Sequence, residues 1–538
     1  MKSMKKLVTL LLSLVMLCAL AMPAMAEGED AAKTYSITID KAVAGHTYTA
    51  YQVFDGAYYK GDGTNNTTDG TEYLSDVKWG KDVDGDKILE ELHENALLKA
   101  SFEGKTSAEG VAYVLQGFKD KSQQMDEFAR VVSHHLSTTK NSGKVTIQQD
   151  GTNNKITPLA VGYYFVKDTG KIDGNEIATK FLVEVVGDAK VTVKDQAPSI
   201  EKEIVGGDDG NHTTVNVGDD VEFKLTAKVP DMASFDKYTF TISDTLSTGL
   251  TFKQGTVAVT IGDKVLAANT NYTLTPPNTD NTFKIEFTKE QLGQNVVHGA
   301  GATIVVTYKA TLNSNALTTD KESNKAELKY SNNPSSSEDK GTVKTPDVPV
   351  YIYDFDIDID KYDDTDNKAG QDANKTKKLA NAQFVLYKEV TEENATVKYY
   401  YQWNDTAKEV KWVTQKDQAT TKKTGADGKT SFQGIAAGSY FLEETKAPDG
   451  YNKLKDPVPV TITAEYDKDG KLTKTTANAN TTVNGQYIQK VEVPNKAGAV
   501  LPSTGGIGTT IFYVLGSILA LGAAVLLIAK KRMNGQDR

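Results

Sequence analysis

Gly438-Ser439-Tyr440-Phe441-Leu442-Glu443-Glu444-Thr445-Lys446-Ala447-Pro448-Asp449-Gly450-Tyr451 reads as a short strand that ends in a turn. Tyr and Phe favour a pleated, half-buried surface, and Pro-Asp-Gly supplies turn chemistry. An earlier stretch, Gly162-Tyr163-Tyr164-Phe165-Val166-Lys167-Asp168, runs parallel to it with Asp168 in the place of Glu444. Working outward, three blocks each open on an alternating strand that carries one lysine. These openings are Ser36-Ile37-Thr38-Ile39-Asp40-Lys41, Pro198-Ser199-Ile200-Glu201-Lys202, and Phe355-Asp356-Ile357-Asp358-Ile359-Asp360-Lys361. Boundaries fall near Pro198 and within Pro334 to Pro349, which is rich in Ser, Asp and Pro. The expected blocks are 27–195, 196–347 and 348–498. Short alternating strands between Gly, Asn and Asp turns predict a mainly β protein of tandem immunoglobulin-like sandwiches. The first block is expected to carry a helical insertion, around Asp86 to Phe102 and Ala108 to Leu136.

The 538 residues suffice for three or four domains, and Tyr outnumbers Phe 25 to 17, again favouring strands. The net charge of −10 argues against nucleic-acid binding, which needs clustered Lys and Arg. The single cysteine, Cys18, lies in residues 1–26, which read as a signal peptide. Lys2, Lys5 and Lys6 form its charged start, Leu7 to Leu20 its apolar run, and Ala24-Met25-Ala26 its cleavage site. The mature protein would then contain no thiol, and an exported protein without disulfides must be stabilised in another way.

At the other end, residues 507–529 form an apolar run long enough to cross a bilayer. Lys530, Lys531 and Arg532 follow and orient the tail to the cytoplasm. Leu501-Pro502-Ser503-Thr504-Gly505 precedes the run. Pentapeptide, span and basic tail, over 499–538, resemble the cell-wall sorting signal of Gram-positive surface proteins. The resemblance implies that a sortase cysteine cuts between Thr504 and Gly505, leaving an acyl-enzyme that an incoming amine takes up.

The Gly438–Tyr451 stretch is similar to the E-box strand, Y-x-L-x-E-T-x-A-P-x-G-Y, of Cna B-type domains. That resemblance implies an amide between Lys361 and Asn495, with Glu444 as the acid. In the middle block, Tyr238 to Phe252 and Asn324 to Asn332 look like the acid-bearing and closing strands of Cna A-type domains. The implied bond there joins Lys202 to Asn324, with Asp244 as catalyst. The physics fits these roles. A lysine attacks only when neutral, and burial lowers its pKa. Burial raises a carboxyl's pKa, so it stays protonated, hydrogen-bonds the asparagine oxygen and helps ammonia to leave. In the first block Asp168 takes the acid place, but the last strand, Val191-Thr192-Val193-Lys194-Asp195, offers an aspartate and no asparagine. A Lys41–Asp195 bond is chemically allowed and stays open.

The opening Gly45 to Gly56, with Tyr73 to Gly80, resembles the N-terminal domains of sortase-assembled shaft pilins. Related pilins carry their polymerisation lysine in V-x-V-Y-P-K. Here Val191-Thr192-Val193-Lys194 has the lysine without Tyr-Pro, so Lys194 is the expected inter-subunit amine and Lys190 a second candidate. The chain as a whole resembles a major pilin: an exported, wall-anchored structural subunit with no cofactor and no turnover activity. The implied partners are pilin-specific and housekeeping sortases, further copies of the same chain, minor pilins, peptidoglycan, and a host or partner-cell surface. The alternative is a minor pilin or a monomeric wall-anchored adhesin of the same fold.

Two acidic stretches, Asp82 to Lys87 and Asp364 to Gly370, lack the glycine and glutamate of a calcium loop. His134-His135 has no further His or Cys cluster to complete a metal site, and none is expected.

Overall fold

The computed structural model describes residues 33–533 apart from 63–68, 120–121, 149–150, 170–177, 194–196, 208, 233–234, 296–299, 334–340, 367–374, 477–485 and 499–506. The signal peptide with Cys18, the Lys194-Asp195 pair and the Leu501–Gly505 pentapeptide all lie outside the described residues.

The period-2 patterns build sheets. In Ile200–Ile204, Ile200, Lys202 and Ile204 are buried while Glu201 and Glu203 are exposed. Alternation thus turns one lysine onto the same face as two isoleucines. This strand lies at the edge of a six-stranded sheet, antiparallel to Asp220–Lys228, which in turn pairs with Thr303–Leu312. A seven-stranded sheet faces it, with Phe240–Leu246 between Thr282–Phe287 and Glu322–Ser331.

Residues 355–495 form a second sandwich. Phe355–Asp363 sits at the centre of a three-stranded sheet, antiparallel to Lys429–Ile435 and parallel to Tyr487–Asn495. The Gly438–Lys446 strand lies in a six-stranded sheet of the same sandwich, between Gln383–Glu392 and Val458–Ile462. Residues 35–192 follow the same plan: Tyr35–Asp40 is antiparallel to Lys155–Leu159 and parallel to Ala189–Thr192. The helical insertion forms as Gly85–Glu94, Lys99–Phe102, Ala108–Leu115 and Gln123–His134.

One continuous core runs from Ile200 to Val493, through both the middle and the third sandwich. Each fully buried Val, Leu, Ile or Phe in it contributes about 1.5–3 kcal/mol. Backbone bonds stitch the junction. Val217 N donates to Gly434 O (2.9 Å), and Val410 N donates to Val217 O (2.7 Å). Gly434 has φ +68°, and a Cβ there would stand 2.7 Å from Val217 Cγ2, so glycine meets both a backbone and a packing requirement. At the other junction, Arg130 in the helical insertion bonds Asp236 of the middle sandwich at 3.0 Å.

A helix spans Ile507–Met533, over the apolar run read from the sequence. Its described side chains, Tyr513 to Leu527, are exposed. Among the described residues no helix is long and apolar enough to cross a membrane.

Candidate functional site

Strand alternation delivers three of the expected residues, and a tyrosine beside them, into the sandwich interior. Lys202 comes from Ile200–Ile204 on one sheet. Asn324 comes from Glu322–Ser331 on the facing sheet, where Glu322, Asn324, Ala326, Leu328 and Tyr330 share the core face. Asp244 lies on the strand next to Asn324's. Tyr308 joins them from Thr303–Leu312, whose core face is Ile304, Val306, Tyr308, Ala310 and Leu312.

The side chains of Lys202 and Asp244 are wholly shielded from solvent and share a hydrogen bond. Lys202 Nζ also donates to Tyr308 Oη (2.9 Å), and Tyr308 Oη donates to Asp244 Oδ1 (2.8 Å). Asn324 Nδ2 donates to Tyr308 Oη at 2.6 Å. Asn324 Oδ1 is buried without a hydrogen-bond partner among the described residues. Phe223, Phe252 and Phe283 pack around Tyr308. This dry shell lowers the Lys202 pKa and raises that of Asp244, both chiefly by burial. The two shifts favour a neutral amine beside a neutral acid, the pair a nucleophilic lysine needs.

The third sandwich assembles a second cluster. Lys361 lies on the core face of Phe355–Asp363, in parallel register with Val493, and Asp363 is in register with Asn495. Lys361 and Asn495 therefore stand on neighbouring strands of one sheet, and Glu444 reaches in from the opposite sheet. Lys361 Nζ donates to Val493 O (2.9 Å) and lies 3.8 Å from Glu444 Oε1. Asn495 Nδ2 donates to Glu444 Oε2 (3.2 Å) and to Asn452 O (2.6 Å). Leu454 N also donates to Glu444 Oε2, at 2.8 Å. Glu444 Oε1 and Asn495 Oδ1 are buried without hydrogen-bond partners among the described residues. Burial pulls the Lys361 amine down to about 8.

One detail differs from the sequence expectation. The acid was expected at the asparagine oxygen, but the structure turns the amide nitrogen towards Glu444, because two acceptors, Glu444 Oε2 and Asn452 O, converge there. The acid thus faces the nitrogen that would leave.

The first sandwich has no such cluster among the described residues. Lys41 is exposed in a turn at φ +54°. Asp168 is buried, but His46 Nδ1 holds its Oδ2 at 2.6 Å. Neither Tyr308 nor His46 was found by reading the sequence. Lys190 is exposed and paired with Asp40 at 2.7 Å. The acidic stretch at 82–87 has a local role: Asp82 accepts from Gln52 N at 2.9 Å, and the Asp84 side chain caps the Gly85–Glu94 helix. His134 and His135 both pair with Glu91. No group able to hold a metal occurs among the described residues.

Family models match three segments. Residues 217–334 match a Gram-positive pilin backbone subunit domain described as Cna-B-like. Residues 365–481 match a prealbumin-like fold domain, and residues 493–535 the LPXTG cell wall anchor motif. The trypsin-resistant surface T6 protein of Streptococcus pyogenes is 27% identical over 395 residues, covering 63% of this chain and 70% of that one.

The chain is homologous to Gram-positive major pilins.

A further relative, the type 1 fimbrial subunit of Actinomyces viscosus, is 35% identical over 95 residues, 18% of this chain and 15% of its own. Among solved structures, the T6 backbone pilin of Streptococcus pyogenes aligns with TM-score 0.49 and 19% identity, covering 88% of this chain and 100% of that one. The group B streptococcus pilus 2b backbone protein aligns with TM-score 0.40 and 28% identity, over 56% of this chain and 99% of that one. The middle block, expected as Cna A-type, is thus matched by a domain described as Cna-B-like. The anchor indicates sortase-mediated attachment, so this pilin homologue is an exported surface protein fixed to the cell wall.

Proposed function

We propose that the chain is the main shaft subunit of a covalent pilus, stapled twice by its own side chains. Lys202 forms an amide with Asn324 under catalysis by Asp244, and Lys361 forms one with Asn495 under catalysis by Glu444. The observation that carries this reading is the burial of two lysine, acid and asparagine clusters, with both lysines lowered by burial. Each reaction runs once, with proximity supplying much of the acceleration. Residues 27–195, 196–347 and 348–498 are the three modules, and 499–538 the sorting signal. A pilin-specific sortase joins Thr504 of one copy to Lys194 of the next. A head-to-tail contact of this kind does not close, so it yields a fibre. A housekeeping sortase transfers the finished fibre to peptidoglycan, and minor pilins and a host surface are its further partners.

The test is an immunoblot of cell-wall extracts from a host that supplies a pilus sortase. The wild-type chain should give a ladder of high-mass species, Lys194→Ala a monomer, and Lys190→Ala the full ladder. A full ladder from Lys194→Ala would remove Lys194 from the account.

A further inference from the structure

The acids of the two clusters differ by one methylene, and their surroundings differ to match. Glu444 contacts the amide nitrogen of Asn495 itself, at 3.2 Å. Asp244 is shorter, and its hydrogen bonds run to Lys202 and Tyr308. The amide nitrogen of Asn324 bonds Tyr308 Oη, so that hydroxyl fills the gap between acid and leaving group. It also lies 2.9 Å from Lys202 Nζ, and thus touches the attacking nitrogen, the leaving nitrogen and the acid together.

We propose that Tyr308 is a catalytic residue of the middle cluster, a proton relay between Asp244 and the amide nitrogen of Asn324. This inference rests on the reading that Lys202 and Asn324 react. The neutral Lys202 amine adds its lone pair to Cγ of Asn324, and the carbonyl electron pair moves to Oδ1. Asp244 then passes its proton through Tyr308 to Nδ2 while Asp244 Oδ2 takes a proton from the now cationic Nζ. As the Cγ–Nδ2 bond breaks, the pair on Oδ1 restores the carbonyl and ammonia departs. Amine plus carboxamide become secondary amide plus ammonia, and Tyr308 and Asp244 end as they began.

The full chain is made by cell-free translation, sampled over time, denatured and digested. The Lys202–Asn324 cross-linked peptide is measured against the Lys361–Asn495 peptide of the same molecules, an internal check on folding. Tyr308→Phe keeps the ring and should slow the first bond roughly tenfold or more while leaving the second at its wild-type rate. Asp244→Glu in the Tyr308→Phe background restores direct reach and should recover much of the lost rate, which a merely structural hydroxyl would not allow. A wild-type rate in Tyr308→Phe, or a double variant no faster than Tyr308→Phe, would overturn the relay. Absence of the first bond from the wild-type chain would instead overturn the underlying reading of the cluster, and the relay with it.

Discussion

Lys202, Lys361, Asp244, Glu444, Asn324 and Asn495 were legible because each stands on a strand whose alternation turns it inward, and because their strands resemble a known pattern. Tyr308 and His46 were not. Tyr308 is one aromatic among many on an ordinary alternating strand, and only the assembled sandwich shows that its hydroxyl meets three polar groups. His46 gives no sign of its partner, which lies 122 positions away. Glu444→Gln should leave Lys361 and Asn495 unlinked, read as a mass one ammonia above that of the fully linked variant sequence and no cross-linked peptide from that sandwich. Burial lifts Asp356 to about 7, while its Oδ1 accepts from Gly434 N at 2.9 Å; Asp358 adds to the rise and Lys422 opposes it. A raised carboxyl holds its proton more tightly in the folded chain. Its stabilisation is complete below the unfolded pKa, near 4, and is lost as pH rises towards 7. Asp356→Asn keeps the acceptor and should raise stability at pH 8 by about 1 kcal/mol or more, with little change at pH 4. Thermal melts at the two pH values would show it.

The strands with their period of 2 and the amphipathic helices of 85–134 could be read from the chain, and both formed. Register could not. Nothing local shows that Phe355–Asp363 runs parallel to Tyr487–Asn495 across the whole module, yet that pairing sets Lys361 two residues from Asn495's level. Each bond would join an opening strand to a late one, closing loops of roughly 120 and 130 residues. By analogy with disulfides each should constrain the unfolded chain by about 4–5 kcal/mol. Asp244→Ala, which blocks bond formation, should therefore lower the denaturation midpoint of the middle sandwich markedly. Equal midpoints for variant and wild type would separate the cluster from stability. On the insertion, Asp84→Ala removes a helix cap and should destabilise by about 1 kcal/mol, with the far-UV signal at room temperature unchanged.

For the molecule as a whole, the C-terminal anchor and the block openings were legible, whereas the fusion of the middle and third sandwiches was not. Their shared core brings a strand glycine, Gly434, against Val217, residues more than 200 positions apart. Gly434→Ala should loosen that junction, read as faster amide exchange at Val217 and Val410, with both staples intact. In a fibre, pulling force would pass along the chain through the staples, bypassing most of each sheet. The two amides would then do for a surface protein with a single cysteine what disulfides do elsewhere. The pair of amides is tested most directly by the intact mass of segment 27–500. A mass lower than the sequence by two ammonia molecules, with Lys202–Asn324 and Lys361–Asn495 peptides after digestion, is the predicted result. A mass equal to the plain sequence would contradict it and leave a wall-anchored sandwich protein with two buried, unreacted clusters.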